Sequence, residues 1–252
     1  MKTLCAIFCL SAATAFGQGF TLRNAPFVGN AAPVVAAGNV FANVTHVWHL
    51  GEAIGNTRVD SVGSLNLAET GGTVASSVGI NGNCAEIGTW GLSTSAWTES
   101  STFSIVLWFK MLSMSGVDPL LIAQKGTPEI LIDLEDNGDT TSSSGVLWDT
   151  TSYPTTVVGG PFNFGGWHMF AAVLDGSTVK VSLDGATFNS QSGSCTPAST
   201  TLSFKDTYNE LVFDLDEVMF WDGITLNQGN VTTLWNGGAG TFYTPFEEEL
   251  EP

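Results

Sequence analysis

Positive charge is what this chain has least of. Seven Lys and Arg stand against 24 Asp and Glu, a formal net charge of −17. Such a surface repels phosphate backbones and anionic headgroups, which excludes nucleic acid and argues against anionic membranes as partners. Charge of either sign is sparse, at 12% of residues. No apolar run approaches the roughly 20 residues of a membrane helix, so membrane insertion is excluded as well. There is no internal repeat, heptad or long helical pattern. Zinc-ligand spacing, a Gly-rich phosphate loop before a helix and a Gly-x-Ser-x-Gly elbow are all missing. The three histidines are His46, His49 and His168; on one strand His46 and His49 face opposite sides and make poor joint metal ligands.

Cysteine is also scarce. Of four, Cys5 and Cys9 fall in the N-terminal apolar run, where no lipoprotein-type residues precede them. That run, Leu4 to Leu10 after Lys2 and before Ser11 to Ala15, reads as a secretory signal over residues 1–17. Cleavage is expected after Ala13-Thr14-Ala15 or Ala15-Phe16-Gly17, and the competing reading is a buried N-terminal element. Secretion leaves Cys84 and Cys195, which one disulfide would join in an oxidising compartment. A small buried thiol in the strand is the alternative for Cys84.

Glycine, with 29 residues, and the aromatics Phe and Trp, with 16 and 8, are plentiful. That composition suits a β-sandwich with many turns. Residues 18–43 form an extended leader or arm suited to self-association through strand donation, 44–243 the domain, and 244–252 an acidic tail. The densest signal lies at 166–185. Trp167 to Leu174 is apolar on both faces, as in a strand covered on both sides. Thr178 to Leu183 alternates, with Val179, Val181 and Leu183 on one side and Thr178, Lys180 and Ser182 facing solvent. Asp175-Gly176 and Asp184-Gly185 are tight-turn pairs. Further strands are predicted at Asn83–Ile87, Glu129–Glu135, Gly145–Trp148, Thr201–Phe204 and Glu210–Asp214. A Gly/Phe-rich turn is predicted at Gly159–Gly166, and a short helix over Leu226–Leu234 stops at Gly237-Gly238.

Several phrases occur in an order that resembles the laminin-G-like jelly rolls of the concanavalin A-like lectin and glucanase group, over residues 44–240. Val47-Trp48-His49-Leu50-Gly51-Glu52 resembles the opening strand, with Val59-Asp60-Ser61 and Leu65-Asn66-Leu67 the next turn and strand. Thr102 to Phe109 resembles the central strand and Leu121 to Gly126 its successor. The 166–185 hairpin and the closing Leu215-Asp216-Glu217-Val218-Met219-Phe220-Trp221 complete the series. The resemblance implies an all-β fold, a two-sheet antiparallel jelly-roll sandwich with one short C-terminal helix. It also implies that a calcium ion could tie the opening segment to the closing strand, through Asp216 with Asp60 or Glu52; anchoring turn backbone is the other role open to these acids.

Glycosidases share this architecture, and the retaining ones hold two carboxylates roughly 5–5.5 Å apart. Glu129, Asp133 and Glu135 share a face of a regular strand, but Leu131 interrupts the series. Trp48, Trp108, Trp167 and Trp221 belong to strands and to the core. Trp90, Trp97 and Trp148 fall at strand ends or loops, where rings can stack on sugars, with Asp149 and Tyr153 adding polar contacts. Asn43-Val44-Thr45 and Asn230-Val231-Thr232 are N-glycosylation sequons. The expected function is a secreted, non-catalytic binding or adhesion module for a glycan or an extracellular protein surface. A structural subunit of an appendage, surface layer or virion is the second expectation, and a glycoside hydrolase the third.

Overall fold

The computed structural model describes residues 39–114, 120–125, 130–136, 142–148, 155–194, 197, 199–205 and 211–245. The opening segment, the arm up to residue 38 and the end of the acidic tail lie outside these. The strands run in chain order β1 (His46–Trp48), β2 (Ala68–Thr70), β3 (Ala75–Val78), β4 (Asn83–Ile87), β5 (Gly91–Ser93), β6 (Trp97–Thr98), β7 (Thr102–Met114), β8 (Leu120–Lys125) and β9 (Ile130–Asp136). They continue as β10 (Ser142–Trp148), β11 (Thr155–Phe162), β12 (His168–Asp175), β13 (Thr178–Leu183), β14 (Asn189–Ser192), β15 (Ser199–Thr200), β16 (Ser203–Phe204) and β17 (Leu211–Asp222). One helix follows, α1 (Gln228–Trp235).

Two large antiparallel sheets make the jelly roll. The first has the order β14-β13-β12-β7-β17-β4-β3, with β1 added to β17; the second runs β11-β10-β9-β8-β16-β5-β2. Residues such as Trp48, Phe109, Phe170, Val181, Phe204, Phe213 and Phe220 fill the space between the sheets. The first sheet is covered on its other face too. Trp108, Met169, Val173, Met219 and Trp221 pack there against Val231 and Leu234 of α1, and against Val40 and Val44. This double burial is why β12 is apolar on both faces from Met169 to Leu174, and why Trp108 and Trp221, on the outer face, are as fully buried as Trp48. Val40 and Phe41, assigned from the sequence to the arm, pack on this face as part of the domain.

The hairpin of β12 and β13 has the expected register, with Phe170 opposite Leu183 and Ala172 opposite Val181. Val179, Val181 and Leu183 lie in the inter-sheet core. The other face differs in part from expectation. Thr178 and Lys180 are partly exposed as expected, Lys180 in an ion pair with Asp175, whereas Ser182 is buried and donates its hydroxyl to the Ala186 carbonyl. Asp184 and Gly185 both take positive φ, 53° and 70°, the backbone that turn requires.

Two boundaries need correction. The turn expected at Gly159–Gly166 begins only at Asn163; Gly159 to Phe162 belong to β11. β11 is the edge of its sheet, where a proline such as Pro161 costs no ladder hydrogen bond on its free side and glycines are tolerated. The strands expected separately at Glu210–Asp214 and Leu215–Trp221 are one, β17, with register shifts between Val212 and Phe213 and, as a bulge, after Asp216. The helix begins one capping box later than its apolar pattern. Asn227 accepts from the Asn230 amide while the Asn230 side chain accepts from the Asn227 amide.

Candidate functional site

The bulge in β17 is where that strand changes partners. Before it, Phe213 to Leu215 pair with β4; after it, Val218 to Phe220 pair with β1. Strands β1 and β4 thus share one side of β17, and a gap opens between them. Asp216 and Glu217, both fully buried, close that gap. Asp216 accepts hydrogen bonds from the amides of Ile80 and Asn81 in the β3–β4 turn, at 2.9 and 3.2 Å, and from the Glu217 amide at 2.9 Å. Glu217 faces the His49 ring at 2.9 Å and accepts from the Asn81 side chain at 2.8 Å. The backbone of Glu217 is held at φ 46°, a left-handed conformation that costs a non-glycine residue about 1 kcal/mol or more. A Cβ on Gly79 would come within 2.3 Å of Asp216 Oδ2, so only glycine lets the turn approach this closely.

The other two acids named for calcium are engaged elsewhere. Asp60 accepts from the amides of Val47, Val62, Gly63 and Leu65, and pairs with His46 at 2.6 Å. Glu52 accepts from the Val59 amide. Among the described residues no three His, Cys, Asp or Glu side chains form a group that could hold a metal ion. In this structure carboxylate oxygens of Asp60, Glu52 and Asp216 receive backbone N–H groups from the neighbouring turns.

Burial pushes the Asp216 carboxyl up to about 8, with Glu217 adding to the rise against the pull of the backbone amides. The hydrogen bond to Glu217 raises His49, more than burial lowers it. Burial lowers His168, but its hydrogen bond to Asp184 at 2.7 Å and the Asp184 charge leave it raised. For each, the folded-state pKa lies above the unfolded one. The stability each contributes is therefore complete below its unfolded value and fades as pH climbs through its folded value. For Asp216 that loss runs from about pH 4 to about pH 8, so the melting temperature should fall over that range, and a flat or rising curve there would refute the raised carboxyl. Asp60 acts in the opposite direction. Burial raises it, but His46 and the Gly63, Val47 and Val62 amides outweigh that and hold it below its usual value, so its contribution is lost only in acid.

Cys84 is a free thiol, buried on the outer side of β4 and pushed up to about 12 by burial and by the charges of Asp214 and Asp216. Cys195 lies outside the described residues. Sequence reasoning missed two buried ion pairs. Arg58, fully buried, donates to the carbonyls of Ala53 and Asn56 and to Glu69, organising the β1–β2 loop. Lys110 pairs with buried Asp214 at 2.6 Å and lies 5.1 Å from the ring centre of Trp167. Cations this rare, set in or beside apolar strands and turns, were the available signal.

The ring-stacking candidates separate. Trp90, between β4 and β5, is 43% exposed. Its indole rests on the backbone of Gly71 and Gly72, where an added Cβ would come within 2.6 Å of the ring. Trp97 is partly buried, against Phe220 at 5.8 Å and His46 at 5.9 Å between ring centres. Trp148 ends β10, with its ring outside the described atoms. Asp149, Tyr153 and Glu129 lie outside the described residues, and Asp133 and Glu135 are placed in β9, opposite Gly145 and Ser143 of β10. No described helix is long and apolar enough to cross a membrane.

Solved structures of similar architecture include domain 4 of AbnA, an extracellular GH43 arabinanase from Geobacillus stearothermophilus, in complex with arabinotriose. It is 19% identical with a TM-score of 0.60, over 75% of this chain and 97% of that one. The binding domain of botulinum neurotoxin DC in complex with SialylT is 11% identical at 0.58, over 79% and 52%. Trypanosoma rangeli sialidase in complex with 2,3-difluorosialic acid is 15% identical at 0.57, over 84% and 35%. The chain thus spans about half of the toxin chain and a third of the sialidase, and at these identities the likeness is one of fold. No curated protein matches. The Laminin_G_3 model, of the Concanavalin A-like lectin/glucanases superfamily, matches residues 82–232. That span is more than half of the 252 residues and holds the bulged strand, its β4 and β7 partners and most of the helix: the chain belongs to this laminin-G family of concanavalin A-like domains.

Proposed function

We propose that the protein is a secreted, non-catalytic module that binds a glycan, with Trp90 as the stacking platform. The observation that carries this reading is an indole 43% exposed, yet fixed in orientation by the glycine pair beneath it. A rigid aromatic face offers contact area with little entropy left to lose on binding. Structures of the same architecture hold arabinotriose, SialylT and a sialic acid derivative, which supports a carbohydrate as the ligand class by analogy. The net charge of −17 favours neutral over anionic glycans.

A glycan array of the wild type beside Trp90→Ala tests this. Binding by the wild type and a loss of roughly 30-fold in the variant, about 2 kcal/mol, are expected, with stability changed by about 1 kcal/mol at most. Equal binding by both proteins would remove Trp90 from the site. Release of reducing sugar from the bound glycan would replace the binding module with a glycosidase.

A further inference from the structure

We infer that Asn43 is the chain's acceptor for an N-linked glycan and that Asn230, in the second sequon, is not. The inference rests on the secreted reading above. The two tripeptides are equivalent in sequence, and the fold separates them. Asn43 is exposed in the turn before β1, at φ 61°, a conformation that Asn tolerates better than most residues. Its side chain makes no hydrogen bond among the described residues, so a substituent on its nitrogen displaces nothing. Asn230 is 5% exposed, and its carboxamide oxygen accepts from the Asn227 amide at 3.0 Å as half of the box that starts α1. Helix α1 packs on the sheet through Val231 and Leu234. A saccharide attached to the Asn230 nitrogen before folding would have to occupy this packed first turn, so a chain modified there could not close α1, and the folded, secreted protein carries none at Asn230.

The fold also sets when modification occurs. Thr45, the hydroxyl residue of the first sequon, donates to the Phe220 carbonyl at 2.9 Å and accepts from the Asp222 amide at 3.1 Å. Once β1 has joined β17, that hydroxyl is no longer available to a transferase that reads Asn-x-Thr. The glycan is therefore added to the unfolded segment. The Asn43 amide nitrogen loses a proton and attacks the anomeric carbon of a lipid-diphosphate-linked oligosaccharide. An N–C bond forms, the C–O bond to the diphosphate breaks, and its electron pair leaves with the lipid diphosphate.

The test is expression of the full chain in a eukaryotic secretory host, once with its own N-terminus and once behind a host leader. Intact mass, before and after enzymatic deglycosylation, is read on medium and cell extract. Asn43→Asp keeps the backbone preference and removes the first sequon; Asn230→Asp keeps the capping oxygen and removes the second. One glycan is expected on the secreted wild type and on Asn230→Asp, and none on Asn43→Asp, which should melt with the wild type. Secreted wild type without a glycan, or a glycan that persists in Asn43→Asp, overturns the assignment. Translocation only behind the host leader would sink the secreted reading, and the glycan result in that arm still decides the acceptor.

Discussion

Val181→Asp should abolish soluble protein, or lower its melting temperature by about 10–20 °C, while Lys180→Asp one residue away leaves a folded domain. Val181 is fully buried in the inter-sheet core, opposite Ala172 of β12 and Asn189 of β14. Among its described partners, Ala172 and Asn189, a carboxylate there has no cation to meet. It costs several kcal/mol, or it takes up a proton and remains a buried polar group. Either outcome is a large share of a total stability of ~5–15 kcal/mol. Lys180 loses only its ion pair with Asp175, in which both side chains are about a third exposed, and the new carboxylate sits beside an old one in solvent. That change is expected to cost within about 1 kcal/mol. Thermal melting of the pair checks the register of the first sheet, and similar loss in both would show that the outer face of β13 is as closed as the inner one.

The second large effect is expected at Asp60. One carboxylate organises the whole β1–β2 loop by taking four backbone amides and the His46 ring. The loop is packed so closely around it that a Cβ on Gly63 would lie 2.6 Å from both Asp60 Oδ2 and His46 Nδ1. Asp60→Ala strands these donors in a site where Asp60 itself is 5% exposed. Each unsatisfied buried group costs ~1–3 kcal/mol, and part of the set can recover water, so a net loss of about 3–5 kcal/mol is expected. Asp60→Asn keeps one accepting oxygen and turns an NH2 group toward the remaining donors, and should fall between wild type and alanine. Denaturant melts of the three proteins decide this. Alanine and asparagine equal to wild type would mean that the loop is held by Arg58 alone.

What was legible in the sequence is what depends on local pattern. β4 and β12 are readable because one side or both sides of a strand must be apolar wherever packing covers them, and the boundaries of β4 agree with expectation residue for residue. Trp108 and Trp221 read correctly as buried. That they lie on the outer face under α1 depends on a helix more than a hundred residues after Trp108 and a turn more than sixty before it, and no local period records that. Pro161 and the glycines before it look like a turn because composition cannot tell an edge strand from a loop. Which backbone groups Asp216, Asp60 and Glu52 anchor was not legible: their partners are N–H groups from turns whose approach only the fold reveals. Arg58 was invisible for a related reason, since its partners are carbonyls that any residue could supply.

The exchange of partners on β17 has a consequence in time. Thr45 and Phe220 are 175 residues apart, and β4 and β7 also wait for the same late strand. At ~5–20 residues per second, a ribosome takes on the order of 10–30 s to make that interval. For all of it β1 has no partner on β17, and most of the chain must stay soluble before the strand at its centre exists. The Asn43 sequon is exposed through that window, and so are the apolar strands that flank it. A carbohydrate added early at Asn43 would then act first as a solubilising group on an unfinished chain, and only later as a mark on the finished one.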